Sequence, residues 1–361
     1  MSQDPLDALR SQIDSIDHDL LGLLQARMQA SERVGALKAA AGRQVYDPQR
    51  EAQLLAKLTA NDHSPLSSAA IEGIYREIIS ASRALQRVPT VAFLGPAHTF
   101  SHQAALKHFG SRCHFEPQST IEDVFAAVER GAVDQGIVPI ENTIQGVETR
   151  TLDAFINSPL LIMAEAWVEV HICVLTHGDM GHLKRVLSHP QPLAQCRQWL
   201  HHHLPEAELI PVASTTAAAA AVAAADDPSQ AALATAEAAV FHQLPIIAEN
   251  IEDRPNNRTR FFIIGKSATG PTGADKTSLL FTTRHRSGAL AAALVPLSAH
   301  SISLTLIQSR PTPAHIEGPY IFYVDFEGHH SEPMVSGAIE ALREQCQTLK
   351  VLGSYPMARE A

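Results

Sequence analysis

The sequence predicts a protein of three domains: an all-helical region, a two-lobed α/β region and a small α+β region. Apolar residues repeat every three to four positions through residues 1–88, which is typical of packed helices. Residues 89–267 alternate short apolar strands with helices, as α/β domains do. Residues 276–356 run strand, helix, strand, strand, helix, strand, which is the split βαβ order. A chain of 361 residues has room for three such cores.

The first region is expected to contain one long helix and two shorter ones. The apolar spacing from Leu6 to Leu37 predicts a helix over about 5–41. At ~1.5 Å per residue this helix is roughly 50 Å long, which is more than a domain of this size covers with its own chain. We therefore expect a homodimer or a higher oligomer. The shorter helices are predicted from Pro48, with Asp47 as cap, and over about 64–86.

Cations lie where the long helix should be apolar. Arg27 occupies a position in the apolar stripe of this helix (the seam), where a lone guanidinium would be costly to bury. Lys38 follows three helical turns later and points to nearly the same side. Arg10 lies on the same helix, and Arg50 follows the start of the second. Surface pairing with carboxylates is the alternative for each cation, and it explains Arg27 least well.

Polar side chains follow five predicted strands of the second region. Each alone is most often a helix cap, but strand ends of an α/β sheet meet at one crevice, so their recurrence predicts a cleft. The stretch "RPNNRTRFFIIG" (254–265) also crowds arginines at a strand start, where an anion is expected. The first strand leads into a helix start in "GPAHTFS", which exposes backbone N–H groups, and the candidate residues at the other strand ends are Asn142, Ser188, Gln195, Ser214, Thr215, Thr259 and Arg260.

Composition excludes several classes of partner. The formal net charge of −10 argues against nucleic acid and anionic membranes. No apolar run approaches a membrane span, and the chain opens without a signal-peptide pattern. The four cysteines form neither a CxxC pair nor a disulfide-like framework. We therefore expect a cytoplasmic protein that binds small molecules.

No cofactor or metal is expected. A GxGxxG motif does not follow any predicted strand, which argues against a nicotinamide cofactor. His98 and His102 lie four residues apart, and His201–His203 are consecutive. Neither group has a third ligand at a fitting spacing.

The residues of the first region resemble the all-helical chorismate mutases, through "LRSQID", the seam arginine and "YDPQRE". That family exchanges its long helix between two chains, as the helix length also suggests. Its Claisen rearrangement needs a dianion held in a folded conformer and positive donors at the breaking C–O bond, without a catalytic base. The resemblance implies Arg10 of the neighbouring chain and Arg27 for the carboxylates, Lys38 and Gln86 for the ether oxygen, Arg50 and Asp47 in support, Glu51 for the hydroxyl, and Ser82 in the pocket wall.

The second region resembles prephenate dehydratases, through "GPAHTFS", "PIEN", "SHPQPLAQC" and "TRF" in the family's order. That resemblance implies a two-lobed domain like the periplasmic binding proteins. Asn142, Ser188, Gln195 and Thr259 would be catalytic or substrate-binding. Thr259 would help the ring hydroxyl of prephenate leave, while Arg260 would hold a carboxylate. Thr99, Ser101, Ser214 and Thr215 would complete the pocket. The family has Gly where this chain has His98, and an imidazole there would crowd the pocket or add a titrating group.

The third region resembles the ACT domain, a ferredoxin-like regulatory fold, through "RSGALAAAL" and "LIQSRP". This resemblance implies L-phenylalanine as an effector at a domain dimer interface. The family has Glu where this chain has Gln308, so feedback is expected to be weaker than in the family, or to rest on backbone contacts. The alternative is a dimerisation module without a ligand. The implied effector residues are Gly288, Ala289, Leu290, Gln308, Ser309, Arg310 and Pro311.

Together the regions resemble the bifunctional chorismate mutase/prephenate dehydratases, the P-protein family. The expected function is conversion of chorismate to prephenate and of prephenate to phenylpyruvate, with feedback by L-phenylalanine. A non-catalytic sensor of aromatic metabolites is the alternative, because two-lobed clefts often only bind. The presence of catalytic residue types in both regions favours the enzyme.

Overall fold

The computed structural model describes residues 4–61, 64–312 and 320–358, which form two compact units. The helical unit holds the described parts of Met1–Asp47, Leu55–Pro89 and Phe109–His114. The larger unit holds Pro48–Leu54, Thr90–His108 and the described parts of Phe115–Ala361. The second and third regions of the sequence therefore share one compact unit.

The long N-terminal helix α1 covers Pro5–Ala40, almost the predicted span. It begins where expected because Asp4 accepts a hydrogen bond from Leu6 N at 3.0 Å and Pro5 fits the first helical turn. None of the α1 residues is buried in the single chain. Its apolar side chains remain about half or more exposed: Leu6, Leu9, Ile13, Ile16, Leu20, Leu21, Leu23, Val34 and Leu37.

The two shorter helices are α2 (Pro48–Leu58) and α3 (Ser68–Gln86). Helix α2 starts with Pro48 at its first position, as predicted. Helix α3 starts later than predicted, because the Ser67 hydroxyl accepts a hydrogen bond from Ala70 N at 3.2 Å and so caps the helix there.

The first lobe of the larger unit is built on a sheet in the order β2-β1-β3-β11-β5, with β4 paired to β3. Strand β1 runs parallel to β3, and β11 runs antiparallel to both β3 and β5. The elements up to β5 are β1 (Thr90–Leu94), α4 (Phe100–Phe109), β2 (His114–Gln118), α5 (Ile121–Glu129), β3 (Gln135–Asn142), β4 (Gly146–Val147), α6 (Thr149–Asn157) and β5 (Leu161–Glu169).

The second lobe has its own sheet in the order β10-β6-β9-β7-β8. Strand β7 is parallel to β8 and β9. Its elements are β6 (Cys173–Leu175), β7 (Arg185–Ser188), α7 (Pro190–Gln195), α8 (Arg197–His203), β8 (Glu208–Pro211), α9 (Thr215–Ala225), β9 (Gln230–Ala234), α10 (Ala236–His242) and β10 (Ile246–Ala248). The chain then returns to the first lobe as β11 (Arg258–Gly265).

The C-terminal sheet follows the predicted order of elements. They are β12 (Asp275–Thr282), α11 (Ala289–Ala299), β13 (Leu304–Pro311), β14 (Tyr320–Glu327), α12 (Pro333–Gln345) and β15 (Thr348–Pro356). The strand order is β13-β14-β12-β15, and each neighbouring pair is antiparallel. Both helices pack on the same apolar cluster of the sheet.

The other face of the C-terminal sheet packs on the first lobe. At Gly353 in β15 the two backbones come so close that a Cβ would lie 2.3 Å from Ile162 O in β5. Tyr323 Oη donates to Leu152 O at 2.7 Å, and Lys350 Nζ donates to Ser158 O at 2.6 Å. None of the helices that the structure describes is both long and apolar enough to cross a bilayer.

Candidate active sites

Arg27 of α1 meets α3 at Ser82. The Arg27 guanidinium donates to the Ser82 hydroxyl, which in turn donates to Ile78 O of its own helix at 2.8 Å. Ser82 is buried and Arg27 is half-buried. The structure therefore brings these two predicted residues together and gives the seam guanidinium a polar partner.

Gln86 lies one helical turn beyond Ser82, at the crossing of α1 and α3. Its Nε2 donates to Ser31 Oγ at 2.9 Å. At Gly35 a Cβ would lie 2.5 Å from Gln86 Cγ, so glycine lets the two helices approach here. Sequence reasoning missed Ser31, although it lies four residues after Arg27 and hence on the same helical face.

The remaining predicted residues of the helical region are more dispersed. Lys38 Nζ donates to Val45 O at 2.9 Å, which turns its ammonium toward the end of α1. Arg10 is largely exposed beside Asp7. It lies seventeen residues from Arg27, roughly 25 Å along the helix, and so is not part of the Arg27 group within one chain. Asp47 immediately precedes α2, and Arg50 and Glu51 lie in the first turn of that helix.

Strand ends of both lobes meet at one crevice in the larger unit. Strand β1 leads at its carboxyl end into the loop 95–99, and the second lobe holds that loop. Thr216 Oγ1 donates to Ala97 O at 3.1 Å, and Thr235 Oγ1 donates to His98 O at 3.3 Å. Thr216 and Thr235 follow the carboxyl ends of β8 and β9. This geometry fits the predicted cleft, because ligands of open α/β sheets bind at such strand ends.

Asn142 and Thr259 form the best-defined polar pair of the cleft. They are register partners on β3 and β11, and Asn142 Nδ2 donates to Thr259 Oγ1 at 2.9 Å. Asn142 Oδ1 accepts from Ile144 N and Gln145 N at 3.0 and 3.1 Å, which fixes the orientation of the amide. Since the Thr259 oxygen accepts from Asn142, its own proton remains available for another acceptor.

Asn257 is a third residue of this polar group, and it was not predicted from the sequence. It is buried, and its Oδ1 accepts from Asn142 Nδ2 at 2.9 Å. The motif "NNRTRF" contains it, so its position beside the strand start was the available signal. Its contact completes the set of acceptors that orient Asn142.

Ser188 and Gln195 flank the short helix α7. The Ser188 hydroxyl lies at the carboxyl end of β7, is fully buried, and donates to Leu233 O at 2.7 Å. Gln195 ends α7, and its Nε2 is buried without an acceptor among the residues that the structure describes. A buried donor of this kind costs about 1–3 kcal/mol unless it is satisfied, which fits a residue that meets a ligand.

Four further predicted residues lie at helix starts around the crevice. Ser214 caps α9 by accepting from Ala217 N at 3.0 Å, and Thr215 is the first residue of that helix. Thr99 precedes α4 and donates to Pro96 O at 3.0 Å, while Ser101 is buried in the first turn of α4. Ser214 thus has a local capping role, whereas the Thr99 hydroxyl bonds back to the loop that precedes α4.

The backbone conformation at His98 explains why the related motif has glycine at this position. Its φ is +63°, in the left-handed region that glycine adopts without strain. Its ring stacks on Phe241 with centroids 4.0 Å apart. Burial and the neighbouring His242 lower the pKa of His98, and burial and His98 lower the pKa of His102. Both rings are therefore neutral at neutral pH.

Arg260 does not serve as the predicted substrate-carboxylate ligand. Its guanidinium is 2% exposed and is bound by Glu165, Asp325 and Tyr355 on the side of the C-terminal sheet. Burial alone would lower the pKa of Arg260, but Tyr355, Asp325 and Glu165 raise it, so the group stays charged. Adjacent strand residues point to opposite faces, so Thr259 and Arg260 cannot both face the cleft.

The C-terminal sheet carries a cavity of about 240 Å³ at the start of α11. Gly288, with φ +75°, precedes the helix, and it lines the cavity together with the first three residues of the helix. The lining residues are Thr283, Arg284, His285, Arg286, Gly288, Ala289, Leu290, Ala291, Tyr320 and Phe322. The predicted residues 288–290 are therefore brought together.

The other predicted effector residues, 308–311, lie on the edge strand β13 and are not among those that line the cavity in the single chain. Gln308 Nε2 donates to Ser309 O at 3.2 Å. Arg310 forms an ion pair with Asp153 of α6 at 2.8 Å. Its role as an effector ligand at a domain dimer interface stays a prediction.

The thiols are poor nucleophiles in this structure. Burial raises the pKa of Cys173 and of Cys346 to about 11, and raises that of Cys196 further. A thiol with a raised pKa carries little thiolate at neutral pH. Across the described ranges, His, Cys, Asp and Glu side chains form no group of three or more that could hold a metal ion.

Two separate polar groups, one on a helical unit and one in an α/β cleft, define a chain with two sites for small molecules. Comparison with known proteins agrees with this division. Residues 9–87 match the chorismate mutase type II model, and residues 91–269 match the prephenate dehydratase model. The chain belongs to the bifunctional chorismate mutase/prephenate dehydratase family.

Relatives match over nearly the full length. The bifunctional chorismate mutase/prephenate dehydratase of Aquifex aeolicus (strain VF5) is 42% identical over 358 residues, covering 98% of each chain. That of Pseudomonas aeruginosa is 39% identical over 363 residues, covering 99% of each chain. The crystal structure of the prephenate dehydratase from Arthrobacter aurescens in complex with L-Phe is 32% identical with a TM-score of 0.69, covering 74% of this chain and 90% of that chain.

Proposed function

We propose that the chain converts chorismate to prephenate on its helical unit and prephenate to phenylpyruvate in its α/β cleft, in the synthesis of phenylalanine. The observation that carries this proposal is the match at 42% identity along the whole chain to a bifunctional enzyme. A non-catalytic sensor is not favoured, because the full-length relatives named above are enzymes.

The mutase step is proposed to use cations on the α1–α3 face. Arg27 binds a substrate carboxylate, with Ser82 holding its guanidinium, and Lys38 and Gln86 donate to the ether oxygen as the C–O bond breaks. Catalysis here consists of holding a dianion in its folded conformer and stabilising charge on that oxygen. Supporting roles in the same step are proposed for Asp47, Arg50 and Glu51 from their match to the family motif.

Arg10 is proposed to reach this site from a second copy of the chain. The uncovered apolar side of α1 supports this, because apolar side chains along a helix of 36 residues need a covering surface. A second α1 packed on that face would bury the stripe and bring its own Arg10 to the other chain's Arg27. The proposed assembly is at least a homodimer.

The dehydratase step is proposed to centre on Thr259. Prephenate loses its ring carboxylate as CO₂, the released electron pair makes the ring aromatic, and the ring hydroxyl leaves. The Thr259 proton is free to donate to that leaving hydroxyl, because Asn142 donates to the Thr259 oxygen. The Asn142 amide also stabilises negative charge that develops on Thr259 Oγ1. Ser188, Gln195, Ser214, Thr215, Thr99 and Ser101 are proposed to complete the pocket.

The C-terminal sheet is proposed to be an ACT domain of the ferredoxin-like fold that binds L-phenylalanine. Its strand order β13-β14-β12-β15 supports this, as does the cavity at the N-terminus of α11, where free N–H groups suit a carboxylate. Gln308 of a second copy would approach from the edge strand β13. The free cysteines agree with a cytoplasmic location, which we also propose.

One assay tests the proposed function. Purified enzyme is given chorismate, and phenylpyruvate is followed with and without L-phenylalanine; a parallel reaction starts from prephenate. We expect phenylpyruvate from both substrates and inhibition by L-phenylalanine. Binding of chorismate or prephenate without any turnover would instead indicate the sensor.

A further inference from the structure

Arg260 lies at the centre of a buried cluster that joins the first lobe to the C-terminal sheet. Its Nε donates to Glu165 Oε2 of β5 at 2.6 Å. Its Nη1 donates to Asp325 Oδ2 of β14 at 2.6 Å, and its Nη2 donates to Tyr355 Oη of β15 at 3.0 Å. Each of these four residues is less than 5% exposed. One guanidinium therefore connects four strands of two sheets.

The partners of Arg260 are themselves held from the C-terminal region. Lys276 Nζ donates to Glu165 Oε1 at 3.1 Å, and Ala358 N donates to the same oxygen at 2.8 Å. Ser278 Oγ donates to Asp325 Oδ1 at 2.6 Å. Both of these carboxylates thus accept hydrogen bonds at both oxygens, and a third carboxylate, Glu141 Oε2 of β3, lies 3.8 Å from Arg260 Nη1.

Stability alone does not explain such a cluster. Burying ion pairs incurs a desolvation penalty that the mutual attraction offsets only when the geometry is good, and apolar replacements are often as stable. A planar guanidinium with three directional bonds does, however, fix position closely. The cluster therefore fixes the position of β11 relative to the neighbouring strands.

The position of β11 at Arg260 also determines the position of the residue before it. Thr259 is the preceding residue, and its side chain leaves the strand on the opposite face to meet Asn142. The pairing of β11 with β3 shifts register between Arg260 and Phe261. Such bulges re-aim side chains and interrupt the ladder. On this side only the pairing with β5 continues unbroken through Thr259 and Arg260, so side-chain anchors supplement the strand position where the ladder to β3 is interrupted.

We propose that Arg260 is a positioning residue of the dehydratase reaction: through its bonds to Glu165, Asp325 and Tyr355 it fixes the start of β11, and thereby the orientation of Thr259 toward Asn142 and the substrate. The C-terminal sheet is then a structural part of the dehydratase site. This inference rests on the catalytic role proposed for Thr259.

Tyrosine-to-phenylalanine substitutions provide a matched test. Tyr355→Phe removes the acceptor of Arg260 Nη2. Tyr323→Phe removes a hydroxyl that is equally buried between the same two sheets but donates to Leu152 O, away from β11. Arg260→Lys keeps the charge but not the planar fork. Prephenate turnover, chorismate turnover and melting temperature are measured for all three and for Thr259→Val.

We expect Arg260→Lys to lower the dehydratase kcat by roughly 100-fold, as displacement of a catalytic group by about 1 Å does. Tyr355→Phe should lower it by about fivefold, because one of three anchors is lost. KM and the mutase rate should stay near wild type. Tyr323→Phe should lower the melting temperature like Tyr355→Phe while keeping kcat.

Two results would overturn the inference. One is a wild-type kcat in both Arg260→Lys and Tyr355→Phe, together with loss of activity in Thr259→Val. The other is an equal loss of kcat in Tyr323→Phe and Tyr355→Phe, which would indicate general loosening of the two sheets. A wild-type kcat in Thr259→Val would instead remove the proposed role of Thr259, and the inference with it.

Discussion

Asn142 and Thr259 face each other across the antiparallel pair β3–β11, and the Asn142 amide donates to the Thr259 oxygen at 2.9 Å. Two backbone N–H groups hold the other end of the amide, so this direction of donation is fixed. The Thr259 hydroxyl proton therefore remains available to another acceptor, which in the proposed reaction is the substrate. This is the arrangement that expulsion of a hydroxyl from the substrate requires.

Thr259→Val should lower prephenate turnover by about 100-fold or more, because a positioned proton donor contributes on that scale. Chorismate turnover and the melting temperature should change little, because valine fills the same volume. Steady-state kinetics on each substrate check this. Thr176→Val is the control, since it removes a threonine hydroxyl of the second lobe that donates to Gln230 O and accepts from Gly178 N. Similar losses in both variants would contradict the assignment.

Asn142→Asp should also inactivate the dehydratase while leaving the fold intact. One carboxylate oxygen still accepts from Ile144 N and Gln145 N. The buried Asn257 amide, whose Oδ1 loses its donor, can turn its Nδ2 toward the new carboxylate. The other oxygen accepts the Thr259 proton and turns it away from the substrate. The measurement is prephenate turnover together with thermal unfolding. A folded Asn142→Asp protein with wild-type turnover would show that the direction of this hydrogen bond does not matter.

Arg27→Ala should abolish chorismate turnover and leave the dehydratase rate on supplied prephenate unchanged. The guanidinium is the cation on the α1–α3 face that contacts Ser82, and the two sites lie in different units. Arg33→Ala is the matched control, because this exposed arginine lies six residues on and points to another side of α1. Loss of both activities in a folded Arg27→Ala protein is the outcome that contradicts the prediction.

Gln308→Glu should tighten L-phenylalanine binding about fivefold, since a charged acceptor gains roughly 1 kcal/mol over an amide for the effector ammonium. Calorimetric titration and inhibition of prephenate turnover measure this. Gln345→Glu adds the same charge at the end of α12 and should leave binding unchanged. Absence of heat and of inhibition in every variant would mean that the C-terminal sheet has no phenylalanine site.

His98→Gly should reduce the loss of stability in acid. A lowered pKa means that the folded protein binds fewer protons than the unfolded chain between the folded pKa and about 6.5, so stability falls as pH drops through that window. At pH 7.5 relief of the left-handed strain and loss of the Phe241 stack, each about 1 kcal/mol, nearly cancel. Melting temperatures at pH 7.5 and 5.5 test this; an unchanged difference excludes His98 as a source.

Much of the fold was predictable because local signals were strong. Asp4 and Pro48 marked helix starts, and the element order of the C-terminal region follows from its alternating patterns. The start of α3 was placed too early, because the Ser67 cap was not recognised. The closeness of the C-terminal sheet to β5 and β11 could not be predicted, since it depends on contacts between residues far apart in the chain, such as Arg260 with Asp325 and Tyr355.

The site was predicted less completely. Asn142 and Thr259 were found because both sit at strand ends, but Arg260 was assigned to the same anion as its neighbour. Strand alternation alone would have separated them. The ion-pair partners of Arg260, Glu165 and Asp325, could not be predicted from the sequence, because neither carboxylate has a local signal that distinguishes it from a surface residue.

Association through the uncovered apolar face of α1, as proposed above, would also make enzyme concentration a variable for one reaction only. A site completed by Arg10 from another copy exists only in the associated form, whereas Asn142 and Thr259 belong to one chain. Dilution should therefore slow chorismate rearrangement before prephenate dehydration, because dissociation follows mass action. The step that limits flux would then change with expression level, and rates from dilute assays would understate the first step in the cell.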